Sequence, residues 1–122
     1  MKRAIASMGA IAAGLTFALS NAAPAQAADK TITLKNPSGT VIARATWDDS
    51  HDTLCVRSFV KGRTATVTME LLDDPKYPVV RKSHAGSSST AACTGNLSIP
   101  EDKRAFAIVG NEDRSTDGVF FT

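Results

Sequence analysis

The sequence predicts an all-β fold, a small antiparallel β-sandwich stapled by one disulfide. Three observations carry the prediction. Beyond residue 27, apolar and polar residues alternate with a period of two in runs rich in Val, Ile and Thr. Turn-forming residues punctuate these runs at short, regular intervals. No segment of that region sustains the helical apolar period of about 3.6 residues.

The first 27 residues stand apart. Lys2 and Arg3 form a basic start, Ala4 to Leu19 is uncharged and mostly apolar, and Ala25-Gln26-Ala27 is a small-x-small cleavage site. This is the pattern of a secretory signal peptide. The apolar run is shorter than the roughly 20 residues of a membrane span, and Gly9 and Gly14 weaken it further. Ala23-Pro24-Ala25 is an alternative cut site. No paired arginine precedes the run, which favours the general export route. The expectation is a signal peptide at 1–27 and one secreted domain at 28–122, extracellular, with no membrane span in the mature form.

The elements follow in order. Lys30 to Lys35 reads as a strand with Ile32 and Leu34 on one face. Asn36-Pro37-Ser38-Gly39 matches a type I turn position by position. Thr40 to Trp47 completes a hairpin with Val41, Ala43, Ala45 and Trp47 on one face; the register is open by one residue. Thr53 to Val60 is a third strand, and Lys61-Gly62-Arg63 a turn with Gly where positive φ is needed. Thr64 to Leu71 alternates cleanly, burying Ala65, Val67, Met69 and Leu71. Asp73 to Pro78 is a loop, Val79 to Lys82 a short strand, and His84 to Thr90 a flexible connection by composition. Ala91 to Thr94 carries the second cysteine, Asn96 to Ile99 is a brief extended piece, and Pro100 to Lys103 a turn. Arg104 to Val109 is a strand, Asn111 to Gly118 is polar, and Val119 to Thr122 adds a short closing strand. An immunoglobulin-like or related Greek-key sandwich accommodates this succession.

Cys55 and Cys93 are the only cysteines, and an exported chain meets an oxidising compartment. Pairing them closes a loop worth about 4 kcal/mol in the chain-entropy picture, an upper figure. A zinc site from Cys55, Cys93, His51 and His84 is the competing reading, but the spacings fit no compact ligand pair.

The segment Asp48-Asp49-Ser50-His51-Asp52 concentrates the polar chemistry. Asp48, Ser50 and Asp52 have the alternate spacing of a calcium loop, but Thr53 and Phe59 stand where an EF-hand needs Gly and Glu. A turn between strands, held by Asx hydrogen bonds, is the preferred reading. A Ser-His-Asp set could be drawn from Ser87 to Ser89, His84 or His51 and an aspartate, yet no nucleophile elbow is present. Asp73-Asp74 and Glu101-Asp102 read as solvated turn acids. Asn96-Leu97-Ser98 matches a glycosylation sequon, assumed unused. The expectation is no enzyme, no cofactor and no metal, with Asp48, Ser50 and Asp52 as the one calcium candidate.

Lys2 and Arg3 are two of the 14 basic residues, and all 12 acidic residues lie beyond residue 27. The domain at 28–122 therefore carries 12 of each sign, and no nucleic-acid-binding stripe is visible.

The layout resembles small secreted, single-disulfide, β-rich proteins of streptomycetes and related actinobacteria, most of them without an assigned activity. The resemblance covers most of 28–122. It lies in the Ala-rich signal, the Trp-Asp-rich turn before the strand with Cys55, and the Gly/Ser loop before Cys93. The Ile99-Pro100-Glu101 turn leading into Arg104-Ala105-Phe106 completes it. It implies location and fold and assigns no functional residue. Secreted protease and amylase inhibitors of the same bacteria are also small and β-rich. They typically have two disulfides, and the amylase inhibitors a Trp-Arg-Tyr triplet; here Trp47 is followed by Asp48.

The expected function is surface recognition, by a monomer, of an extracellular protein or a cell-envelope glycan. Loops 48–52, 73–78 and 84–90 are the expected contacts, with Tyr77 as anchor beside Lys76 and Trp47. The alternative is a secreted inhibitor or toxin presenting Asp74 to Pro78 to a foreign enzyme or cell.

Overall fold

A computed structural model describes residues 28–122; the expected signal peptide at 1–27 lies outside the described residues. The described chain is all β, with strands β1 (Lys30–Lys35), β2 (Val41–Asp48), β3 (Thr53–Ser58), β4 (Ala65–Leu71), β5 (Val80–His84), β6 (Ala92–Cys93), β7 (Arg104–Gly110) and β8 (Ser115–Phe121). They form two four-stranded antiparallel sheets, ordered β1-β2-β3-β6 and β5-β4-β7-β8. Among the described residues no helix is long and apolar enough to cross a membrane.

Alternation places one face of each strand in a shared core. Ile32 and Leu34 of β1, Ala43, Ala45 and Trp47 of β2, and Leu54 and Val56 of β3 meet the inward residues of the second sheet. Those are Ala65, Val67, Met69 and Leu71 of β4, Ala105, Ala107 and Val109 of β7, and Phe120 of β8. The Trp47 and Phe120 rings lie 5.7 Å apart. Five buried alanines, Ala43, Ala45, Ala65, Ala105 and Ala107, share the core with these two aromatics. At the edge, a Cβ on Gly118 would stand 3.1 Å from Ile32 Cδ1, so the small residue admits the isoleucine.

The first hairpin settles the open register. Gly39 N–H donates to Asn36 O at 2.9 Å, and Asn36 Oδ1 accepts from Ser38 N and Thr40 N. Gly39 has φ of 88°, so the turn ends in a bulge. The register then shifts between Leu34 and Lys35, and Lys35 pairs with Val41. Val41 and Ile42 are consequently both half-buried, while the predicted face from Ala43 to Trp47 is kept.

Three expectations are corrected. β8 starts at Ser115 rather than Val119, because the turn is confined to Asn111–Arg114 and polar side chains suit the exposed parity of an edge strand. β5 runs through His84, whose ring is buried rather than part of the following connection. Residues 96–99 are not continuously extended, because Ser98 has φ of 52°; they are strapped to the β2–β3 turn, with Leu97 N–H donating to Asp52 O and Ile99 N–H to Asp52 Oδ2.

The Cys55–Cys93 disulfide is present. The two residues face each other directly across β3 and β6, within one sheet. The bridge therefore fastens the short β6 to its neighbour on the outer face, outside the inter-sheet core.

Candidate functional site

The 48–52 segment is a turn in which Asp48, Ser50 and His51 bond one another, while Asp49 Oδ1 is buried without a partner. Asp48 Oδ1 accepts from the Ser50 amide at 3.1 Å and the Ser50 hydroxyl at 2.8 Å. Ser50 Oγ also lies 2.9 Å from His51 Nδ1, and Asp48 Oδ2 lies 2.9 Å from the same nitrogen. The Ser50 hydroxyl, and after it the His51 ring, hold the Asp48 carboxyl below its usual range. An acyl-transfer triad sets serine and carboxylate on opposite ring nitrogens; here both share Nδ1. Asp52, at φ of 46°, turns its carboxylate away to Ile99 N–H. The three calcium candidates thus do not converge, and among the described residues no group of three or more His, Cys, Asp or Glu could hold a metal.

Trp47 is 2% exposed and packs in the core, out of reach of a partner. Tyr77 is half-buried, and its hydroxyl donates to Leu97 O at 2.8 Å. With Tyr77 N–H donating to Asp74 O at 3.0 Å, it pins the 73–78 loop and leaves Lys76 exposed.

A different constellation lies on the outer face of the disulfide-bearing sheet. Pairing residues symmetrically about the 49–52 turn sets Asp48 opposite Thr53 and Arg44 opposite Arg57. Both arginines have the outward parity, because Ala43, Ala45, Val56 and Ser58 point inward. Like charges directly opposed across two strands repel. Phe59, 36% exposed just past β3, takes up both: its ring centroid is 4.4 Å from Arg57 Cζ and 5.1 Å from Arg44 Cζ. Neither guanidinium has an ion-pair or hydrogen-bond partner among the described residues, and Arg57 Nε is buried without one.

Two open hollows meet at Arg57 and Phe59. One, of about 180 Å³, is lined by Arg44, Thr46, Cys55 and Ala91 as well. The other, of about 270 Å³, adds Lys61, Ser87, Ser88 and Ser89. Among the described residues no carboxylate lines either hollow. Three other arginines have acids at hand. Arg63 binds Glu112 and Asp113, Arg104 binds Asp73, and the hollow containing Arg81 also contains Glu112.

The serine loop is placed by two buried contacts. His84 Nδ1 accepts from Ser58 N–H at 3.0 Å and from Gly86 N–H at 3.3 Å, joining the ends of β3 and β5 across the sandwich. Gly86 has φ of 79°, and a Cβ there would lie 2.3 Å from Val60 O. Only glycine lets the 85–90 connection lie against the Val60–Arg63 turn, which brings Ser87–Ser89 beside Lys61. The disulfide secures the other flank by holding β6, and Ala91 before it, next to Cys55.

The second sheet's outer face carries exposed apolar side chains, including Val79, Ile108 and Val119. Compared with known proteins, the chain matches no family model, and no curated protein or solved structure is significantly similar to it.

Proposed function

We propose that this protein is a secreted, monomeric, non-enzymatic binding module that recognises an extracellular protein or cell-envelope component. Its contact surface is the outer face of the disulfide-bearing sheet, centred on Phe59. The observation that carries this reading is the pair of opposed arginines, stacked against an exposed aromatic ring, with no carboxylate among the described residues that line their hollows. Aromatic and arginine side chains are the groups that most often dominate recognition surfaces. A binding role is favoured over a catalytic one because both histidines are committed to structural contacts, His51 within its turn and His84 beneath the serine loop. The test is retention of labelled protein on purified cell envelopes and on immobilised extracellular proteins. Phe59→Ala should lower retention on one of them roughly tenfold; unchanged retention on both would remove Phe59 from the account.

The inhibitor reading retains one supporting observation: the Asp74–Pro78 loop is pinned through Tyr77 while Lys76 stays exposed. Inhibition of a protease panel, abolished by Lys76→Ala, would favour it.

A further inference from the structure

We infer that the twin hollow around Arg57 is a binding site for tetrahedral oxyanions, phosphate esters or sulfates, carried on a polyanionic component of the cell envelope. The inference rests on the binding role proposed above and specifies its ligand.

Charge is the first argument. The domain at 28–122 has equal numbers of acidic and basic residues, yet Arg44, Arg57 and Lys61 gather here with no acid lining the hollows. The stacked ring offsets part of the repulsion between the arginines, and an oxyanion seated between them would offset the rest. Donor geometry is the second. Arg44 and Arg57 line one hollow, and Arg57 with Lys61, Ser87, Ser88 and Ser89 the other, so each hollow has more than one donor residue. A flat carboxylate is matched by one guanidinium fork in one plane, whereas a tetrahedral group offers acceptor oxygens to several donors. Shape is the third. Two small open hollows joined at Arg57 and Phe59 suit successive anionic groups along a chain, with the ring between them as an apolar step. Construction is the fourth. Gly86, His84 and the disulfide fix both flanks, so the donors are held in place before a ligand arrives.

The test is a nuclear magnetic resonance titration of the oxidised protein with inorganic phosphate, linear polyphosphate and a polyglutamate peptide, against sodium chloride at matched ionic strength. The expected result is saturable shifts at Arg57, Phe59 and Ser87–Ser89 with phosphate, and about tenfold or more tighter binding of polyphosphate through successive contacts. Arg44→Gln and Arg57→Gln should each weaken polyphosphate binding roughly tenfold. Arg81→Gln, on the other sheet with the same change of charge, should leave it unchanged. Shifts reproduced by sodium chloride, or equal losses in Arg81→Gln and Arg57→Gln, would overturn the inference. Tighter binding of polyglutamate than of polyphosphate would overturn it in favour of an acidic protein. Failure here with Phe59-dependent envelope retention intact would reject the oxyanion and leave the binding role. Arg57-dependent phosphate binding without retention on any envelope or extracellular protein would support the oxyanion and reject that role.

Discussion

His84 shows how one side chain can couple two sheets to a surface. Its Nδ1 accepts from the Ser58 and Gly86 amides in a position only 6% exposed, so the neutral ring carries its proton on Nε2. His84→Ala leaves the Ser58 amide unpaired; chemical denaturation should show a loss of about 1–3 kcal/mol. Asp73 behaves differently because it is at the surface. The Arg104 side chain, then the Arg104 amide, hold its carboxyl down from 3.8 to about 2. A carboxyl whose folded value lies below its unfolded one contributes stability that is present above pH 3.8 and lost as the pH falls toward 2. Asp73→Asn should therefore shrink the fall in unfolding temperature between about pH 5 and pH 2, read by circular dichroism. Asp48 and Ser50 spend their side-chain oxygens within the turn, and the Asp52 carboxylate accepts from Ile99 N–H. Excess calcium should accordingly leave the unfolding temperature unchanged; a rise lost in Asp52→Asn would make the turn a ligand loop.

At the scale of elements, strand pattern was legible wherever one face is buried. Ile32 and Leu34, the Ala43–Trp47 face, and the β4 alternation all occupy the core as the period-two reading placed them. Legibility failed where the physics is not periodic. β8 is an edge strand with Gly118 set against Ile32 and polar residues outward, so its sequence resembles a turn. The serine loop's position depends on Gly86 packing against a carbonyl distant in sequence, which composition cannot reveal. The arginine pair was within reach: folding the hairpin about 49–52 sets Arg44 against Arg57. The stacking of both on the Phe59 ring, and the lack of a carboxylate among the described residues lining their hollows, needed three dimensions. Trp47 shares its parity with Ala43 and Ala45, so the strand pattern already placed it inside rather than among the contacts. Ala45 is only 1% exposed in the core, which makes Ala45→Leu an informative change. Overpacking there should reduce stability by about 1–3 kcal/mol, measured by denaturant titration.

For the molecule as a whole, the disulfide and the two sheets divide the work. Burial between the sheets holds the sandwich, and the Cys55–Cys93 bridge, spanning 38 positions of sequence, restrains the unfolded chain and anchors β6. Replacing both cysteines by serine should lower stability by up to about 4 kcal/mol. It should also broaden resonances around Ala91 and Cys55 more than those of β4 and β7, because β6 has only two residues with which to hold its edge. The outer face so braced is where recognition is assigned. The most direct measurement compares two charge-matched variants, Arg44→Gln/Arg57→Gln and Arg81→Gln/Lys82→Gln, for retention on the same purified cell envelopes. The account predicts that the first loses retention and the second keeps it. Equal retention in both, or equal loss, would contradict it and point to the loops as the contact surface.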